Sequence, residues 1–243
     1  MVTATGELSN YFQGFDQLPP EQQNYIAESL ALWVAAGYID VLINNKMSAK
    51  VGRVNHGGSL ADRDNRCVTL CGEELQTELM LFQKFGPLAK IPSRTKGFVE
   101  ARLNLVAAHE MAHQIYTLLS PDTRAQIDAM HRNRVQRCDQ IHPLPDGYDG
   151  NAELVTEVQL IERVFLSGYS RSSPEEYFAE SLAAFSIKSS REKLKAIDAE
   201  IFELMHRLVF EANEMLDSKW HEQIARSQAE RKRRQELTDT LLD

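Results

Sequence analysis

Apolar positions in the first half of the chain follow two different rhythms. From Glu21 to about Ala36, residues Tyr25, Ile26, Leu30, Leu32, Trp33 and Ala36 recur at helical spacing, which predicts a helix. Tyr38–Ile43 is rich in aromatic and β-branched side chains and reads as a strand. Cys67–Leu70 reads as a second short strand. Leu75, Leu79, Leu81 and Phe82 then predict a helix from about Glu73 to Phe85, closed by Gly86-Pro87. The polar stretch Asn45 to Arg66 carries Gly52, Gly57 and Gly58 and suggests turns or an irregular hairpin. Residues 1–20 are polar, end in Pro19-Pro20, and read as a loose lead-in.

In the second half the helical period dominates. A long helix is expected from about Gly97 to Leu119, stopped by Ser120-Pro121-Asp122, with another following through Ile127 and Met130. His142–Gly150 is dense in proline and glycine and reads as a loop. Helical periodicity returns through Leu154–Phe165, breaks at Ser167-Gly168 and resumes after Pro174. The stretch from about Glu192 to Leu242 is helical and strongly charged. Its basic cluster Arg231-Lys232-Arg233-Arg234 is flanked by glutamates, as a solvated helix face would be. These elements predict an α+β fold, mainly helical, with a small mixed sheet beside the long helix. The expected organisation is a lead-in over 1–20, one domain over 21–218 and a charged C-terminal helix over 219–243.

Composition narrows the class. A chain of 243 residues with 43% hydrophobic positions can bury a proper core. A net charge of -8 with both signs interspersed gives no support to nucleic-acid binding. No secretory signal is visible at the N-terminus and no stretch reaches membrane-spanning length. A soluble cytoplasmic chain, or one secreted by a signal-independent route, is therefore expected. Cys67, Cys71 and Cys138 form no CxxC pair and suggest free thiols rather than a disulfide framework.

The chemistry is concentrated in Val106-Ala107-Ala108-His109-Glu110-Met111-Ala112-His113-Gln114-Ile115. Three ionisable groups lie in a helical stretch that is otherwise apolar nearly all round. Burying them without partners costs several kcal/mol. A divalent metal would compensate. Residues four apart lie about 40° apart around a helix axis, so His109 and His113 can grip one ion. Glu110 sits about 100° away, where it can reach a metal-held water as general base. The HExxH pattern arises by accident on the order of once in a hundred chains of this composition, so its apolar setting matters.

Catalytic zinc takes three protein ligands and leaves one position open. The acidic candidates Glu176 and Glu180 lie one turn apart on a helix opening at Pro174, whose apolar face carries Phe178, Leu182 and Phe185. Ser173-Pro174-Glu175-Glu176 also matches a capping box, with Glu176 reaching back. Periodicity alone leaves the ligand role divided between the two glutamates.

His109-Glu110-Met111-Ala112-His113, Tyr169 and Glu176-Tyr177-Phe178-Ala179-Glu180 together resemble the zincin metallopeptidases of the anthrax lethal factor catalytic domain and Pro-Pro endopeptidase group. The resemblance covers roughly His109–His113 and Tyr169–Phe185, and the gap between His113 and Glu176 is longer than the family pattern. It implies a minimal zincin fold, Zn2+ as cofactor and Glu176 as third ligand. It further implies that Tyr169 donates to the oxyanion and that Glu180 orients a histidine. Cys67–Leu70 is the candidate edge strand for an extended peptide. The expected activity is endopeptidase hydrolysis of a protein or peptide substrate, which an effector or toxin acting on host proteins would share. A zinc-stabilised, non-catalytic binding or scaffold module is the alternative.

Overall fold

A computed structural model describes residues 2–52, 60–61, 66–85, 88–93, 97–102, 105–141, 164–166 and 169–242. The N-terminal residues do not form a loose lead-in. Helix α1 (Val2–Tyr11) runs into strand β1 (Phe12–Gln13), and a short 3-10 turn follows at Phe15–Gln17. Leu8, Tyr11, Phe12 and Phe15 are all buried in the core. Their apolar content, spread among polar neighbours, is too sparse to announce a helix without the surface it packs on.

Helix α2 (Pro20–Ala35) starts with proline at its first position, where a missing N–H costs nothing. Gly37 then turns the chain at φ 88° into helix α3 (Tyr38–Asn44). The sequence predicted a strand there. Tyr38, Ile39, Val41 and Leu42 are all buried, and a helix covered on most sides has no polar stripe to reveal its period. Among the described residues no single helix is long and apolar enough to cross a membrane. Helices α2 and α3 pass as a pair on composition, but they meet at 90°.

The polar stretch after α3 contains a strand the sequence did not announce. Strand β2 (Ser48–Gly52) lies parallel to β1 and to β4 (Cys67–Cys71), while β3 (Leu60–Ala61) runs antiparallel along the far side of β4. The order β1-β2-β4-β3 makes a small mixed sheet. Cys67–Leu70, the candidate edge strand, is therefore internal: its Val68 and Thr69 pair with β2 on one side and β3 on the other. Cys67 and Cys71 stand four positions apart on that strand, about 13 Å, beyond the ~7 Å reach of a disulfide. Neither of them, nor Cys138, is in a disulfide.

After helix α4 (Gly72–Phe85) comes a two-stranded hairpin, β5 (Leu88–Ser93) with β6 (Gly97–Arg102). The long helix expected from Gly97 thus begins later, as α5 (Val106–Leu118). Cross-strand pairing from Ser93↔Gly97 to Leu88↔Arg102 takes the earlier residues, and Leu105 enters the left-handed region at φ 52° before the helix starts. β4 and β3 lie against α5, so the sheet does sit beside the motif helix. Helix α6 (Pro121–Ile141) follows as predicted. The expected His142–Gly150 loop, and Leu154 to residue 163 of the next predicted helix, lie outside the described residues.

The C-terminal half is helical: α7 (Pro174–Ser186), α8 (Lys188–Ile197), α9 (Ala199–Phe210), α10 (Ala212–Met215) and α11 (Ser218–Leu242). One side of α11 is docked rather than solvated. Ile224 and Ser227 are buried, Ser227 donates to Asp40, and Arg231 pairs with Glu7 at 2.8 Å and Asp40 at 2.9 Å. Gly37 makes this approach possible, because a Cβ there would meet Ser227 Oγ at 2.9 Å.

Two buried polar ties set the start and the flank of α5. Glu78 on α4 accepts from the Val106 N–H at 3.0 Å and from the Tyr25 hydroxyl at 2.8 Å, capping the helix from a neighbouring element. The Tyr11 hydroxyl donates to Gln114 Oε1 at 2.5 Å, and Gln114 Nε2 donates to Ser48 O at 3.1 Å. Motif helix, sheet and N-terminal helix are thus joined through one buried amide.

Burial pushes the Glu78 carboxyl above the usual carboxylate range, against its hydrogen bonds from Val106 and Tyr25. A carboxyl raised in the folded state favours folding while protonated and loses that contribution as pH climbs through its folded pKa. Glu78→Gln keeps an acceptor without a charge. Its stability should therefore rise relative to wild type as pH increases from about 4. Glu78→Leu strands the Val106 N–H and should cost about 1–3 kcal/mol. Chemical denaturation of both variants across pH checks this; parallel pH profiles for Glu78→Gln and wild type would refute it.

Candidate metal centre

Helix α5 is buried on every side from Val106 to Ile115, including His109, Glu110, His113 and Gln114. Charged groups in such a helix need partners on the neighbouring element, and α7 supplies them. The two helices pack closely, with the Tyr116 and Phe178 rings 5.4 Å apart.

Helix α7 opens with Pro174 behind Ser173, whose Oγ accepts from the Glu176 N–H at 3.1 Å. That is one half of the expected capping box. The Glu176 side chain, however, turns to the imidazoles of α5. Its Oε2 lies 3.1 Å from His109 Nε2 and 3.7 Å from His113 Nε2. Its Oε1 accepts from the Tyr169 hydroxyl at 3.2 Å. Glu176 and Glu180 face different edges of the ring: Glu180 Oε1 lies 3.1 Å from His109 Nδ1.

One residue of the site escaped the sequence reading. Glu175 Oε1 lies 3.1 Å from His113 Nδ1. An acidic residue in a first helical turn is expected from the helix dipole alone, so nothing in the pattern singled it out.

Tyr169 sits in a 3-10 turn (Tyr169–Arg171) beside the site. Its ring stacks on His109 with centroids 6.0 Å apart, and it is 57% exposed. The turn is tied down where the Tyr169 carbonyl accepts from Ser172 Oγ at 2.7 Å, and where His131 Nε2 meets Arg171 O at 3.0 Å. Deeper in, the Tyr177 hydroxyl donates to Asp198 at 2.5 Å and Arg134 pairs with the same carboxylate at 2.7 Å. These bonds anchor α7 to α6 and to the α8–α9 junction.

The site is dominated by negative charge. Four acidic side chains, Glu110, Glu175, Glu176 and Glu180, surround two imidazoles. Burial pulls the His109 imidazolium down, yet the carboxylates of Glu176 and Glu180 outweigh it and leave the group pushed up to about 10. Burial raises the Glu110 carboxyl above its usual range, with the two imidazoles pulling against it. Burial and the Glu176 carboxylate push the Tyr169 phenol up to about 12, so it stays a hydrogen-bond donor at neutral pH.

The donor set fits zinc. Ligand atoms about 2.0–2.1 Å from a tetrahedral ion stand roughly 3.3 Å from one another. The 3.1 and 3.7 Å separations between Glu176 Oε2 and the two Nε2 atoms bracket that edge. Glu176 Oε2 is buried with no hydrogen-bond partner, which is costly for an anionic oxygen that serves no cation. His109 Nδ1 has its carboxylate contact but lies off the line a hydrogen bond prefers. Among the described residues, His109, Glu110 and His113 form the one tight cluster of potential ligands, with atoms within 4.8 Å of one another. That criterion selects Glu110, whereas the convergence of both Nε2 atoms selects Glu176. We favour Glu176 as ligand because one of its oxygens faces both rings at ligand-edge distances.

No protein-family model, curated protein or solved structure matches this chain.

Zinc in excess should raise the melting temperature of the wild-type protein, by about 2.7 kcal/mol of stabilisation when free metal stands a hundredfold above Kd. Glu176→Ala should lose most of that gain. Differential scanning calorimetry with and without zinc reads both; no shift in the wild type would refute the centre.

Proposed function

We propose that this protein is a zinc-dependent endopeptidase of zincin type that cleaves protein or peptide substrates. The observation that carries the reading is the convergence of His109 Nε2 and His113 Nε2 on a single buried oxygen of Glu176. A mixed sheet beside the motif helix and a second helix crossing it with the acidic residue are what a minimal zincin requires.

His109, His113 and Glu176 would hold the metal, and zinc bound there would supply Lewis-acid activation of water and of the scissile carbonyl. Glu110 takes the proton of the attacking water. Its burial favours the protonated form, so it can hand that proton on to the leaving amine. Tyr169, still protonated at neutral pH and exposed at the edge of the site, donates its hydroxyl to the developing oxyanion. Glu180, whose Oε1 lies 3.1 Å from His109 Nδ1, draws the ring proton to that edge and leaves Nε2 free to bind.

A closed, structural zinc site is the competing reading. It is favoured by the Glu110 carboxylate falling within the same 4.8 Å cluster, where it would be a fourth ligand. Glu110→Gln separates the two. If Glu110 is the base, the variant keeps its zinc and loses about 10²-fold or more in turnover of a peptide library. If Glu110 is a ligand, zinc content falls with it. Metal analysis alongside the cleavage assay gives the answer, and a wild-type protein that binds zinc but cleaves nothing would favour the closed site.

Tyr169→Phe should lower kcat by about 10²–10³-fold with zinc content unchanged. Loss of metal in parallel with activity would instead make Tyr169 a support for Glu176.

A further inference from the structure

Both imidazoles of the centre use both of their nitrogens. On His109, Nε2 faces Glu176 and Nδ1 faces Glu180; on His113, Nε2 faces Glu176 and Nδ1 faces Glu175. The three carboxylates come from one helix, α7, within six consecutive positions. We propose that Glu175 is a positioning residue for His113, the counterpart of Glu180 on His109, and that it sets the metal affinity of the site. The inference rests on the zinc reading above.

A neutral imidazole carries one N–H and one lone pair, and the partner of one nitrogen decides which tautomer is present. With Glu175 Oε1 at 3.1 Å, the proton of His113 is drawn to Nδ1 and the lone pair is left on Nε2, the nitrogen facing Glu176. The carboxylate also orients the ring and raises its basicity as a ligand. The two supports are not equal. Glu180 is buried, whereas the Glu175 side chain is 41% exposed and stands at the edge of the core. His113 is therefore the ring whose support solvent and substrate can reach.

A first-turn glutamate also complements the helix dipole, and that role would appear in folding stability rather than in metal affinity. The Ser173 cap on the Glu176 N–H is untouched by substitution at 175. The two roles therefore separate cleanly.

The test is zinc affinity by chelator competition for wild type, Glu175→Gln and Glu175→Leu, with the melting temperature of each metal-free protein recorded. Glutamine keeps an acceptor for Nδ1–H without the charge; leucine keeps neither. Zinc affinity should fall about 10–100-fold in Glu175→Leu and by less in Glu175→Gln, with metal-free melting temperatures close to wild type. Affinities for both variants within twofold of wild type would overturn the proposal. So would equal losses in the two, which would mean a bulk charge effect, or weakened binding matched by a lower metal-free melting temperature. A wild-type protein that takes up no zinc would overturn the zinc reading itself, a result distinct from any of these.

Discussion

Two histidines and a glutamate lie on a helix with no face toward solvent, and the rest of the molecule is arranged around the cost of putting them there. An ionised or strongly polar group transferred from water to such a place is unfavourable by several kcal/mol unless another polar group meets it. Helix α7 meets it with three carboxylates in six positions. Charge placed on one helix is thus answered by charge on another.

Precision at such a centre depends on the elements that hold the two helices. Glu78 sets where α5 begins, Gln114 ties its middle to Tyr11 and to the sheet, and Arg134, Asp198 and Tyr177 fix α7. Each tie is a buried hydrogen bond or ion pair between elements distant in sequence, so breaking one moves a helix rather than a side chain. Tyr169 differs. It stands on a short turn at the surface, held by Ser172 and by the His131–Arg171 contact, where a substrate can reach its hydroxyl.

The sequence was most informative where chemistry and periodicity had to agree. Four-residue spacing of His109 and His113, with Glu110 between, defines a face of α5 from sequence alone, and Glu176 or Glu180 is singled out on a second helix for the same reason. It was least informative where burial is complete. Tyr38–Ile43 looked like a strand because all its side chains but Asp40 are apolar, and the residues after Gly97 looked helical until the hairpin with β5 claimed them. Strand β2 hid in a polar segment, since parallel pairing to β1 and β4 is written in the partners and not in the strand.

Local sequence settled which residues could share a metal: spacing along one helix fixes angle and rise, and both are intrinsic to the backbone. Tertiary structure alone decided how the acidic residues of α7 divide their work. Glu175, Glu176 and Glu180 occupy one helix and carry the same functional group. Only the crossing of α7 over α5 gives Glu176 both Nε2 atoms and leaves Glu175 and Glu180 one Nδ1 each. The same holds for Glu78, whose position on α4 carries no mark of the helix it caps. Contacts between elements far apart in the chain depend on packing geometry, which no local pattern of residues contains.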